Sequence, residues 1–186
     1  MQKFDTPAPV SAVLDVPAGR IRLIAADRAD TTVEVLPADA ARSRDVRAAE
    51  RIDVRYDDGV LRITAPGAKN RMLGNSGAVE VTVQLPAGSH LAGKASAGEL
   101  RGVGRLGDVA FEAAQGQVKL DETAGARLTL LAGDITVGAA RGVSATLDAG
   151  TAHGRIHNAL SNTDGAAAGL TIHATTSQGD ITARSL

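Results

Sequence analysis

The stretch Val109-Ala110-Phe111-Glu112-Ala113-Ala114-Gln115-Gly116-Gln117-Val118-Lys119-Leu120 decides the fold. Apolar side chains fall at Val109, Phe111 and Ala113 before the glycine and at Val118 and Leu120 after it, with Ala110, Glu112, Gln117 and Lys119 between them. A period of two on both sides of one glycine describes two short half-buried strands joined by a tight corner.

The same unit recurs around Gly19, Gly59, Gly98, Gly133, Gly154 and Gly179. With the glycine as zero, offsets minus 7, minus 5, minus 3, plus 2 and plus 4 are apolar at 30 of 35 positions across the seven units. The alternating offsets minus 6, minus 4, plus 1 and plus 3 are apolar at only 4 of 28, against a chain-wide hydrophobic content of 44%. From Gly98 onward the anchors lie 18, 17, 21 and 25 residues apart, room for two strands of about five residues and two turns. Each unit then reads as one coil, stacked parallel on the next at ~4.8 Å. The plus 2 row, Leu100, Val118, Ile135, Ile156 and Ile181, is the expected aliphatic stack, and Ala95, Ala113, Ala149, Ala174 and Thr151 make the opposite side narrow.

The expected fold is therefore all-β, a β-solenoid resembling a parallel β-helix, with an irregular, partly antiparallel N-terminal section. One domain is expected over residues 1–186, with 1–90 as the capping section and 91–186 as the regular repeats. In the first half the anchors are 40 and 39 residues apart, and additional strands are expected at Val33 to Leu36 and Val79 to Leu85. Tyr56-Asp57-Asp58-Gly59-Val60 carries an Asp-Gly hairpin signal. Ala38 to Glu50 reads as a short helix starting near Asp39, or as a loop.

Composition removes several function classes. Twelve basic residues meet 12 acidic ones up to His90, and 8 meet 9 beyond it, so there is no sustained field for nucleic acid. With no cysteine there is no disulfide, thiolate nucleophile or cysteine-held metal. One Tyr, two Phe and no Trp leave little from which to build a sugar- or base-stacking platform. The start, Met1-Gln2-Lys3-Phe4-Asp5-Thr6-Pro7, has no apolar leader and nowhere do 18 apolar residues run together, so a cytoplasmic location without membrane insertion is expected.

Val79-Glu80-Val81-Thr82-Val83-Gln84-Leu85-Pro86-Ala87-Gly88-Ser89, Ala132-Gly133-Asp134-Ile135-Thr136-Val137 and Ser177-Gln178-Gly179-Asp180-Ile181 resemble the bacterial β-strand-repeat putative-adhesin family of unknown function. The resemblance extends over nearly the whole chain and implies a β-helix-like fold without catalytic residues to transfer. The chain departs from the family's Ser-Gly-Asp repeat, with Glu99, Gln117 and Arg155 following Gly98, Gly116 and Gly154.

Three constellations invite chemistry and are outweighed by simpler readings. Gly102-Val103-Gly104-Arg105-Leu106-Gly107 spells the dinucleotide fingerprint, but an alternating strand follows it where the chemistry needs a helix N-terminus. His153 and His157 flank a turn and strand and would lie ~13 Å apart, and His173 is at an outward offset, so no metal site is expected. The plus 1 row, Glu99, Gln117, Asp134, Arg155 and Asp180, and the plus 3 row, Arg101, Lys119, Thr136, His157 and Thr182, read as a solvated flank on which Arg155 separates two carboxylates.

The expected role is a non-enzymatic interaction or structural module, with no cofactor and no catalytic residue. Alternatives are a carbohydrate-binding or carbohydrate-active β-helix, recognisable by a concave groove with clustered carboxylates, and an accessory subunit of a regulatory protein. Because the chain stops soon after its last repeat, Ser177, Asp180, Ile181 and Ala183 form the expected interface of a homodimer or protein partner through an exposed terminal coil. The competing expectation is that Asn158 to Gly169 folds over that edge.

Overall fold

The structure, a computed structural model, describes residues 1–66, 77–162 and 169–186. Among these the chain runs β1 (Gln2–Asp5), β2 (Ser11–Ala26), β3 (Asp30–Pro37), α1 (Ser43–Glu50), β4 (Asp53–Asp57), β5 (Val60–Thr64), β6 (Val79–Pro86), β7 (His90–Ala132), β8 (Ile135–Ala139), β9 (Ala145–His153), β10 (Ile156–Ala159), β11 (Leu170–Gln178) and β12 (Ile181–Ser185). All twelve strands join one mixed sheet. It is an all-β structure with one short helix.

The repeat sets the register. Gly19 pairs with Gly98, and the plus 2 residues pair as Ile21 with Leu100, Val118 with Ile135, Ile135 with Ile181 and Ile181 with Ile156, all between parallel strands. Before the glycines, Leu14 pairs with Gly93 and Leu128 with Ala174, again parallel. Each unit bends at its glycine, so stacked units build two walls, one from the residues before the corner and one from those after it. The inward offsets of the units at Gly116 and Gly133 are all buried, Val109, Phe111, Leu120, Leu128, Ile135 and Val137 among them. Such side chains stabilise by ~1.5–3 kcal/mol each when fully buried.

The corner requires glycine for two reasons. Gly116 and Gly133 have φ of 146° and 132°, a region L side chains rarely adopt, and a Cβ on either would lie 1.6 Å and 1.5 Å from the carbonyl oxygen of the glycine below. Backbone stacks where a side chain would stand.

The N-terminal section departs from this pattern as expected. β6 pairs parallel with β2, but β3 runs antiparallel to β6 and β1 antiparallel to β3. Gly59 is the tip of the β4–β5 hairpin, with Asp58 and Gly59 at φ 45° and 77°, and it is not a coil corner: Leu61 pairs with Ala12, a residue of the opposite wall's offset. The helix begins at Ser43, later than Asp39, because Asp39 holds a preceding turn, its Oδ1 accepting the Ala41 N–H at 2.9 Å. Asp45 on the helix is buried and accepts the Ala78 N–H at 3.0 Å, which ties α1 to the start of β6.

The last two units correct the expected order of stacking. β12 lies between β8 and β10, parallel to both, so the unit at Gly179 is inserted between those at Gly133 and Gly154. On the other wall β11 likewise sits between β7 and β9. The composition of the units explains the exchange. The Gly179 unit places Ile172, Ala174, Ile181 and Ala183 inside, whereas the Gly154 unit offers Thr151 and Asn158 at inward offsets, and none of its five inward residues is buried. An amide at a core position costs free energy unless it is hydrogen-bonded, and that cost is least on the outermost rung.

Candidate interaction surfaces

The interface residues expected from the sequence do not form an edge. Ile181 and Ala183 are core residues, 1% and 0% exposed, because β12 is hydrogen-bonded to a neighbour on each side. Asp180 directs its carboxylate to the next rung, with Oδ1 accepting the Arg155 N–H at 2.8 Å and Oδ2 accepting from Arg155 Nη2 at 2.9 Å. The Arg155 backbone N–H, and after it the guanidinium, holds the Asp180 carboxyl below the usual carboxylate range. Ser177 is exposed.

The edge lies one rung further out. Among the described residues β10 pairs only with β12, and β9 only with β11. Since the Arg155 carbonyl accepts the Ile181 N–H, the alternation of a parallel ladder turns the backbone groups of Ile156 and Asn158 away from β12. All four β10 residues are exposed, Ile156 by 46%. The β9 side is partly closed: Asn162 Oδ1 accepts the Ala145 N–H at 2.8 Å while its Nδ2 donates to the Ala145 carbonyl at 2.9 Å, one side chain standing in for a neighbouring strand. Leu160 packs against the core beside it. The expected fold-over of Asn158 to Gly169 concerns the edge of the Ser177–Ala183 strand, whereas Asn162 covers β9; residues 163–168 of that turn lie outside the described residues.

The outward rows also fall in a new order. In the plus 1 row Asp134 is followed by Asp180 and then Arg155, so Arg155 ends the row and does not separate the two carboxylates. In the plus 3 row the register places Arg22 directly beside Arg101, a neighbour 79 residues away along the chain. Gly102 lies against Leu120, which sets Arg101 beside Lys119.

The remaining candidates resolve as architecture. The Gly102 to Gly107 run lies within β7, and the absent Cβ of Gly104 would sit 2.1 Å from the Ala25 carbonyl oxygen, so this glycine serves close backbone stacking. His173 Nδ1 meets Asp148 Oδ2 at 3.1 Å, while His153 and His157 lie in β9 and β10 on either side of the Gly154 corner. Among the described residues no three potential ligands converge on a metal site. A shallow groove of about 640 Å³ crosses the outside of the wall before the corner, between His90 and Asp108 on one side and Arg127 and His173 on the other. Among the described residues Asp108 is the one carboxylate that lines it, whereas glycoside cleavage needs a pair. Among the described residues no helix is long and apolar enough to cross a membrane.

A glycine-cornered, in-register stack of parallel strands with polar outer faces defines a class of β-repeat domain. The chain belongs to the Toastrack DUF4097 family, whose model matches residues 12–185. Among solved structures it is similar to a putative cell adhesion protein from Clostridium sporogenes, at 12% identity and a TM-score of 0.73 over 100% of this chain and 98% of that one. A putative adhesin from Bacteroides fragilis is also similar, at 12% identity over 98% and 95% of the two chains, with a TM-score of 0.45. No curated protein matches.

Two features escaped sequence reasoning. The β10 edge was signalled by Thr151 and Asn158 at inward offsets, which mark the unit least able to sit inside. The neighbourhood of Arg22 and Arg101 gave no local signal, because it depends on which distant units stack.

Proposed function

We propose that this chain is a single β-solenoid domain, capped by its N-terminal section, that acts as a non-enzymatic interaction module and self-associates through the β10 edge. The observation that carries this reading is that among the described residues β10 is hydrogen-bonded on one side only and bears no Lys, Arg, Asp or Glu along Ile156, His157, Asn158 and Ala159, with Ile156 nearly half exposed. The edges at the other end are guarded. β1 carries Lys3 and Asp5, and β4 carries Asp53, Arg55 and Asp57. Charges on an edge strand discourage pairing, and their absence from β10 permits it.

A second copy fits this edge. Two identical edges related by a two-fold axis pair antiparallel, the commonest closed arrangement, and neither β10 strand sets a Lys, Arg, Asp or Glu against the other. Arg155, the nearest cation, is already engaged with Asp180. Pairing satisfies the outward backbone groups of Ile156 and Asn158 and covers the Ile156 side chain.

Sedimentation velocity at micromolar concentration tests it. The unmodified chain is expected to be a dimer, and Ile156→Lys a folded monomer by far-UV circular dichroism. A monomeric unmodified chain, or a dimer that survives Ile156→Lys, overturns the reading.

A further inference from the structure

The wall after the corner carries one outward row of eight residues on seven strands, β7 contributing two: Glu34, Thr82, Arg22, Arg101, Lys119, Thr136, Thr182 and His157. Its centre is three successive cations between two threonines. Adjacent rungs are ~4.8 Å apart, so the three side chains rise side by side from neighbouring parallel strands. Like charges at directly facing positions of a sheet are destabilising. Three other sets of charged neighbours are neutralised across the rungs: Arg20 pairs with Glu80 at 2.5 Å, Lys94 with Glu112 at 3.1 Å and Arg155 with Asp180 at 2.9 Å. None of Arg22, Arg101 and Lys119 makes an ion pair or side-chain hydrogen bond with a described residue.

We propose that the Arg22–Arg101–Lys119 ladder is a binding site for a linear acidic glycan, a polyuronate chain laid along the stacking direction so that its carboxylates lie against the row of cations. The site is narrow. Glu99 lies two residues before Arg101 on one side and Asp121 two residues after Lys119 on the other, so the positive potential is confined to a single line about three rungs long. A line of that kind suits a thin chain with one charge per short repeat. A nucleic acid gains nothing here beyond charge, because its bases find no stacking platform: Phe111 is buried and Phe4 and Tyr56 pack on each other at 5.5 Å elsewhere. Pyranose stacking is equally unavailable, so recognition rests on charge and is strongly salt-dependent.

The ladder is separate from the β10 edge, and the experiment does not depend on oligomeric state. Fluorescence anisotropy of a labelled oligogalacturonate long enough to span three rungs is followed with the full chain at low salt. Binding is expected, weakened about tenfold or more in Arg101→Gln and less in Arg22→Gln or Lys119→Gln, while Arg105→Gln outside the row leaves it unchanged. Each ladder variant should also flatten the dependence of log affinity on log salt, by roughly one for each lost contact. Melting temperatures of the three variants should be equal to or above that of the parent, because a like-charge neighbour has been removed. Absence of binding, an unchanged salt slope in Arg101→Gln, or loss of binding only together with a lowered melting temperature in all three variants overturns the proposal. Equal or tighter binding of oligothymidylate or polyglutamate of matched charge overturns the assignment to a glycan.

Discussion

The carboxylate of Asp134 accepts the backbone N–H of Asp180 at 2.8 Å, one rung away, and the carboxylate of Asp180 accepts the backbone N–H of Arg155 in the same way. At the Gly133 and Gly179 corners the glycine N–H and the plus 2 N–H donate to backbone carbonyls of one neighbouring rung, Gly133 to Gln178 and Ile135 to Asp180, Gly179 to His153 and Ile181 to Arg155. The plus 1 N–H between them points the other way. A Gly-Asp pair therefore supplies both the corner and an acceptor for the next corner, and the acidic residue after the glycine has a structural task. Asp134→Ala is expected to cost about 0.5–1.5 kcal/mol, the net worth of such a bond. Asp134→Asn keeps an acceptor oxygen and should retain most of it. Urea midpoints of the two variants check this, and equal losses would show that charge, not the hydrogen bond, is what matters.

Gly93 and Phe111 make a second such pair. A Cβ on Gly93 would lie 2.8 Å from Phe111 Cδ2, so the largest core side chain occupies space left free by a glycine on the adjacent rung. Gly93→Ala should cost about 1–3 kcal/mol by overpacking. Combined with Phe111→Leu, which loosens the same space, the two changes should cost less than the sum of their separate effects. Strict additivity in a denaturation cycle would show that the residues do not share the space.

Much of this was legible because a period of two is a local property. The inward rows, the glycine corners and the Asp-Gly hairpin at Asp58 and Gly59 each follow from a few consecutive residues, and their register follows from repetition. What the sequence concealed is the order of stacking. Gly154 precedes Gly179 in the chain but lies outside it in space, because covering the unit with Asn158 at an inward offset would bury an amide, while the unit with Ile181 and Ala183 is covered without that cost. The expected Ser177–Ala183 interface followed from equating the last coil in sequence with the last rung in space. The Arg22–Arg101–Lys119 row was invisible for a related reason, since it joins units separated by the whole irregular section.

Acid should loosen the N-terminal edge. Asp30 accepts from Arg28 Nε at 2.8 Å and lies 3.1 Å from Lys3 Nζ. The hydrogen bond from Arg28, then that from Lys3, lowers its pKa from 3.8 to about 2. A depressed folded-state pKa contributes stability that is fully present above the ordinary carboxylate value and is lost as pH falls through the folded one. The parent should therefore exceed Asp30→Asn in stability near neutral pH, and the difference should shrink between about pH 4 and about pH 2. Urea midpoints of both chains across that window give the answer, and a difference independent of pH would remove the carboxylate from the account.

The stacking order itself can be tested with three isoleucines of one row. Ile135, Ile181 and Ile156 occupy the same plus 2 offset on successive rungs, and their exposures are 0%, 1% and 46%. A carboxylate in place of either of the first two is buried without a partner, so Ile135→Asp and Ile181→Asp should each cost several kcal/mol or prevent folding. Ile156→Asp, on the outermost rung, should remain folded with a small loss, as should Thr136→Asp, which is next to Ile135 but outward. A stack that followed the sequence would reverse the two critical variants, making Ile181→Asp tolerable and Ile156→Asp severe. Denaturation midpoints of the four proteins therefore distinguish insertion of the last unit from simple succession, and a tolerant Ile181→Asp beside a severe Ile156→Asp would reject the order β8, β12, β10 and move the open edge back to the terminal strand.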